Sequence, residues 1–175
     1  SSVGTIFSQE VLIVHELYTS ILSSAVLMSI LREYYVDLVI SVGRCMSVSP
    51  EIKNGDIVIS SKIIDVNVDL TMFNDVAMGQ VPGFNRDFIV EDDIINYLSQ
   101  GVERRTTTDY HRAIFLSTDN MSKAMCDSLK ERKNIFALEN ELLVIDQNSS
   151  GVAIASTLKG VPFIVCKVAE NNLAV

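Results

Sequence analysis

The chain has 175 residues, 48% hydrophobic and 21% charged, which excludes a disordered segment and supplies enough material for a sizeable core. Its net charge of -8 argues against a general nucleic-acid or anionic-membrane surface, since both are met by clustered Lys and Arg. No apolar run reaches the roughly 18 residues of a membrane span, and the first residues lack a signal-peptide pattern.

Apolar and polar residues alternate from Val3 to Phe7 and from Val11 to His15, which predicts two strands joined by Ser8-Gln9-Glu10. Thr19 to Glu33 is predicted as a helix, with Ile21, Leu22, Ala25, Met28 and Leu31 as its apolar stripe. Leu38-Val39-Ile40 reads as a short buried strand opening into the loop Ser41-Val42-Gly43-Arg44. Pro50 and Asn54-Gly55-Asp56 punctuate the next loop, and Ile57 to Ile64 is a second buried strand. Asn67 to Phe88 is a long segment with Gly and Pro, of the length that usually serves a function or an interface.

Asp92 to Leu98 follows as a short helix, its start marked by the acidic Glu91-Asp92-Asp93, and Glu103-Arg104-Arg105 reads as a solvated turn. Ala113 to Leu116 is a strand, Ser122 to Lys133 a polar-faced helix, and Leu142 to Ile145 another strand. A helix from Ser150 and a strand from Phe163 complete the chain. Continuous apolar strands alternating with helices predict an α/β fold with a mostly parallel sheet covered on both faces. Cys45, Cys126 and Cys166 are odd in number and set in apolar sequence, as buried free thiols of a reducing, cytoplasmic setting would be. His15 and His111 are too few and too separated for a zinc site, and neither metal nor cofactor is expected.

Several stretches, taken in order, resemble the nucleoside phosphorylase and nucleosidase family. Leu38 to Gly43 followed by Pro50 to Val58 is similar to a family strand, its glycine-rich ribose or phosphate loop and the next strand. Val68-Asp69-Leu70-Thr71-Met72-Phe73 and Gly79-Gln80-Val81-Pro82-Gly83 look like the methylthioadenosine/S-adenosylhomocysteine nucleosidase branch. Ser117-Thr118-Asp119 stands where that branch has Ser-Gly-Asp. Asp146 to Ala155 and Val161 to Lys167 resemble its last strand-helix-strand unit. The resemblance implies a three-layer α/β/α architecture with a mixed, mostly parallel sheet. It starts near Gly4, so residues 1–175 are expected to form a single domain without the family's N-terminal strand and C-terminal helix.

The activity implied is hydrolysis of the bond between adenine and a 5-thio-ribose. That reaction needs a carboxylate to activate water, a Glu on the ribose hydroxyls and an Asp to protonate the purine. The resemblance places Asn148 at the ribose Glu and Asn171 at the purine-protonating Asp, with Gln147 beside the first. An amide can hydrogen-bond, but it neither offsets a developing cation nor delivers a proton. Each general acid or base lost typically costs about 10² to 10⁴ in rate. No catalytic residue is therefore expected to be intact.

Arg44, Asp69, Phe73, Asp119 and Met121 are the other expected ligand-pocket positions, Met121 standing in for an aromatic that stacks on the base. The family's Gly-Ile-Gly turn is Leu17-Tyr18-Thr19 here, and its second glycine-rich turn is Gly43-Arg44-Cys45-Met46-Ser47. Leu70, Gln80 and Pro82 are the residues that the resemblance offers to a dimer partner. The expected protein is a degenerate homologue acting as a homodimer, or as a heterodimer with an active paralogue. A divergent active nucleosidase or a purine-nucleoside sensor without turnover is the alternative. By residue type alone, Asn148-Ser149-Ser150 is equally a helix N-cap, Asn171-Asn172 an exposed loop, and Arg44 a solvated or carboxylate-paired side chain.

Overall fold

The computed structural model describes residues 1–72, 76–131, 138 and 140–172, with the backbone alone at 171 and 172. The chain opens with an antiparallel hairpin of β1 (Ser2–Ile6) and β2 (Gln9–Ile13). Its turn is Phe7-Ser8, at φ 47° and 66°, the left-handed pair that matches the twist of a two-residue hairpin. The predicted Ser8-Gln9-Glu10 turn is corrected accordingly, since Gln9 and Glu10 already pair with Ile6 and Thr5. The hairpin tip rests on the guanidinium of Arg105, 5.4 Å from the Phe7 ring centre.

Helix α1 (Ser20–Glu33) is capped by Thr19, whose Oγ1 accepts the Leu22 N–H at 3.2 Å. Its inner face differs from the predicted stripe. Ser20, Ser23 and Leu31 are buried and Leu27 packs on the core, while Ile21 and Leu22 are exposed. Small residues turn inward because α1 lies close against helix α4 (Ser149–Lys159), where Gly151 admits the backbone of Ser20.

Among the described residues the main sheet has six strands: β3 (Val39–Ser47), β4 (Ile57–Asp65), β5 (Asp87–Ile89), β6 (Tyr110–Ser117), β7 (Leu143–Asp146) and β8 (Phe163–Asn172). They are ordered β5-β4-β6-β7-β3-β8, and β4 also pairs with β8. That extra pairing, Ile57 to Ile59 against Val168 to Cys166, closes the sheet into a barrel-like ring. The expected three-layer α/β/α arrangement holds in its coarser form, as an α/β fold whose sheet curls closed. The flanking helices and mixed sheet stand, and the long ladders β3–β8, β4–β6 and β6–β7 are parallel.

Closure depends on a bulge in β4 between Ser60 and Lys62. Below it β4 borders β8, and above it β4 borders β5 through Lys62 to Ile64. β3 runs through Ser47, so the stretch expected as the loop Gly43 to Ser47 is strand, with Ser41, Cys45 and Ser47 turned inward. Helix α2 (Asp92–Arg105) carries the predicted acidic first turn but is twice the expected length; Glu103-Arg104-Arg105 is its last turn rather than a loop. Helix α3 (Lys123–Glu131) ends the described part of the predicted Ser122 to Lys133 helix.

Both faces of the sheet are covered. On β6, Ala113 and Phe115 enter one core with Ile59, Ile63, Val144 and Val165, while Ile114 and Leu116 enter a second with Ile64, Leu143 and Ile145. This is why the strands read as continuous apolar runs rather than alternating ones. Among the described residues, no helix is long and apolar enough to cross a membrane.

Candidate functional site

Strands β4, β6 and β7 run parallel, so their carboxyl ends share one rim, at Asp65, Ser117 and Asp146. Such rims are where α/β sheets place ligands. The N-termini of α1 and α4 meet at the same rim. Asp119, just past β6, receives the Ser20 N–H and the Ser20 hydroxyl, both at 2.8 Å. A carboxylate on the free amides of a helix N-terminus is favourable, so Asp119 acts as a cap for α1 supplied from a distant strand.

Asn148 is at the N-terminus of α4, but its side chain does not cap it. Its Nδ2 donates to the Leu17 carbonyl at 2.7 Å, and its Oδ1 accepts from Lys167 Nζ at 2.5 Å. The predicted capping role belongs instead to Asp146, which accepts the Ser149 N–H at 3.2 Å and the Ser149 hydroxyl at 2.5 Å. Asp146 is also the ion-pair partner of Lys167, and both are almost wholly buried. Two charges in that setting hold only as a pair, because removing either would strand the other without water.

Asp65, at the end of β4, accepts hydrogen bonds from the Asn67 backbone and side chain. Burial raises its carboxyl above the ordinary range, and the nearby negative charge of Asp119 adds to that, against the hydrogen bonds from Asn67. Thr118 and Asp119 in turn bond Asn67 Oδ1, at 3.0 Å each.

Of the predicted pocket residues, the structure gathers Asp119, Gln147 and Asn148 at this rim, with Met121 half-buried beside the second core. Arg44 is an exposed residue of β3 paired with Glu170 at 3.1 Å. Asp69 is exposed and folds its carboxylate back on the Thr71 N–H and hydroxyl. Of the partner-facing residues, Pro82 is exposed and Leu70 half-buried, while Gln80 stitches its own loop by bonding Ala77 and Phe84. Phe73 and the side chain of Asn171 lie outside the described residues; the backbone of Asn171 belongs to β8.

Leu17, Ser20, Asp146 and Lys167 were not among the predicted residues. For Lys167 a signal was present: a lone Lys inside the apolar Phe163-Ile164-Val165-Cys166-Lys167-Val168 needs a buried acid, and Asp146 ends the preceding strand. Cys45 and Cys126 are buried and Cys166 half-buried, all three as free thiols. Among the described residues there is no cluster of His, Cys, Asp and Glu that could hold a metal ion.

This fold and this rim define a class. The sequence matches the phosphorylase superfamily over residues 3–175, and the chain belongs to that family. Within it, the chain is similar to the 5'-methylthioadenosine/S-adenosylhomocysteine nucleosidase of Buchnera aphidicola, with 25% identity over 99% of this chain and 74% of the relative. The nucleosidase of Colwellia psychrerythraea in complex with adenine superposes with a TM-score of 0.86 at 22% identity, covering 97% of this chain and 69% of that one. A mutant of the Helicobacter pylori nucleosidase in which an Asp is replaced by Asn, with 5'-methylthioadenosine in its active site, superposes with a TM-score of 0.82 at 19% identity, covering 97% and 70%.

Proposed function

We propose that this chain is a catalytically degenerate homologue of methylthioadenosine/S-adenosylhomocysteine nucleosidase, acting through assembly with a like or an active subunit. One observation carries the reading: the Asn148 side chain, at the position the resemblance gives to the ribose clamp, spends its Nδ2 on Leu17 and its Oδ1 on Lys167. It holds no charge to set against a ribosyl cation, and both its polar atoms already have partners. Asp119 is likewise engaged by Ser20. Residues 1–175 act in this reading as one nucleoside phosphorylase-like domain, and the free thiols fit a cytoplasmic place. Leu70, Pro82 and the exposed Met72 supply the apolar surface offered to a partner subunit.

The test pairs two measurements on the purified protein. Incubation with methylthioadenosine, followed chromatographically, is expected to release no adenine above the uncatalysed rate. Light scattering after size exclusion is expected to give a dimer, or co-purification to give a mixed one with an active nucleosidase. Adenine release lost on Asp69→Asn or Glu170→Gln would establish a divergent enzyme instead. A strict monomer that binds methylthioadenosine without turnover would establish a sensor.

A further inference from the structure

The segment from Glu16 to Ser20 crosses the rim and is held there at separate points. Asn148 Nδ2 grips the Leu17 carbonyl, and Asp119 grips the amide and hydroxyl of Ser20. The Ser20 carbonyl also presses against Gly151 so closely that a Cβ there would lie 2.0 Å away. At the upstream end Glu16 adopts φ 66°, the left-handed region that an ordinary side chain disfavours. Such a conformation persists where surrounding contacts over-determine it.

Lys167 decides which way Asn148 faces. Its ammonium can meet only the amide oxygen, which turns Nδ2 toward Leu17; the flipped amide would set donor on ammonium and oxygen on carbonyl. Lys167 is fixed in turn by Asp146, which also holds Ser149 at the start of α4. One chain of polar contacts, buried at Asp146 and Lys167 and part-buried at Asn148, thus runs from α4 through β7 and β8 to the backbone ahead of α1.

We propose that residues 16–20 form a strap, latched by Asn148 and Asp119 and oriented by Lys167, that closes the rim to ribosides. Lys167 is then a positioning residue, acting only through Asn148. The inference rests on placing the ligand rim at these strand ends, as the proposed function does. It predicts that a riboside binds in proportion to the fraction of molecules with the strap released.

Asn148→Asp keeps size and acceptor but has no N–H for Leu17, and Asn148→Ala removes both contacts, so either serves if the other does not fold. In native-state hydrogen exchange, the Leu22 and Ser23 amides, both held by Thr19, are expected to exchange about five- to tenfold faster in the variants. The amides of Phe115 and Val144 are expected to stay as they were. Methylthioadenosine titrated calorimetrically is expected to bind the variants more tightly by the same factor. Unchanged exchange at Leu22 and Ser23, or a uniform rise across the chain, overturns the strap. Faster exchange without tighter binding overturns its closing of the rim. Hydrolysis by the unaltered protein would instead sink the degenerate reading while leaving the exchange result intact.

Discussion

A Cβ at Gly151 would meet backbone of α1 and not the movable end of a side chain, with the Ser20 Cα and carbonyl carbon at 2.9 and 2.8 Å. Gly151→Ala must therefore push the two helices apart, and is expected to lower stability by about 2–3 kcal/mol in urea unfolding. Cys45 gives a second expectation at this scale. Burial pushes its thiol up to about 12 despite the opposing charge of Lys167, so the thiolate that reacts is absent at neutral pH. A thiol reagent should leave Cys45 unlabelled in the native protein and label it promptly in denaturant.

Asp87 behaves in the opposite sense. Burial alone would raise its carboxyl, but hydrogen bonds and charge from Arg86 and Lys62 outweigh burial and hold it below the ordinary carboxylate range. A group bound more weakly by protons when folded stabilises the folded state above its unfolded value, and loses that contribution as acid protonates it. Stability should fall as pH drops below about 4, and Asp87→Asn should flatten that acid limb in thermal unfolding measured against pH. The places of Asp119 and Asn148 just past the strand ends were legible by resemblance, because the residues around them keep their order. Their actual partners were not: the bonds to Ser20 and Leu17 span 99 and 131 residues, and nothing local announces them.

Among the elements, those with strong local signals came through. Glu91 with Asp92 and Asp93 marked the start of α2, and Thr19 the start of α1. The ends were harder. Gly101 looks like a stop, yet Leu98 and Val102 both pack on the core, and tertiary burial carries the helix past it to Arg105. In β3 the apparent glycine-rich loop is strand because β8 supplies a partner at every residue from Val39 to Cys45. The loop between β4 and β5 does depend on a glycine: Gly79 has φ 83°, and a Cβ there would lie 2.6 Å from Ile64 Cγ2. Gly79→Ala combines a left-handed backbone with a clash on the second core, and is expected to cost about 2–4 kcal/mol by chemical denaturation.

At the scale of the molecule, the sequence reveals that the sheet is covered on both faces but not that it closes. Burial on both faces is written in the apolar runs of β6 and β7, whereas closure lies in the pairing of Ile57 with Val168, an encounter of distant segments. The presence of two cores meeting at β6 makes that strand the center of stability. Phe115→Ala should leave a cavity worth about 3–5 kcal/mol, read as a lowered melting temperature, far more than any change on the exposed hairpin β1–β2.

The bulge at Ser61 has a consequence for how the chain can vary. It changes the count by one residue along β4, so the lower half meets β8 and the upper half meets β5, each with the correct side chains inward. Deleting one residue there would exchange the two faces of the strand beyond it, carrying Ile63 to the core that Ile64 now fills and Lys62 to the opposite face, since neighbouring strand positions face opposite ways. The length of β4 is thus locked by geometry, while the connection between β4 and β5 is under no such constraint and can lengthen or shorten. Descendants of this sequence should differ in the number of residues between β4 and β5 and agree, residue for residue in number, along the strand that joins the ring.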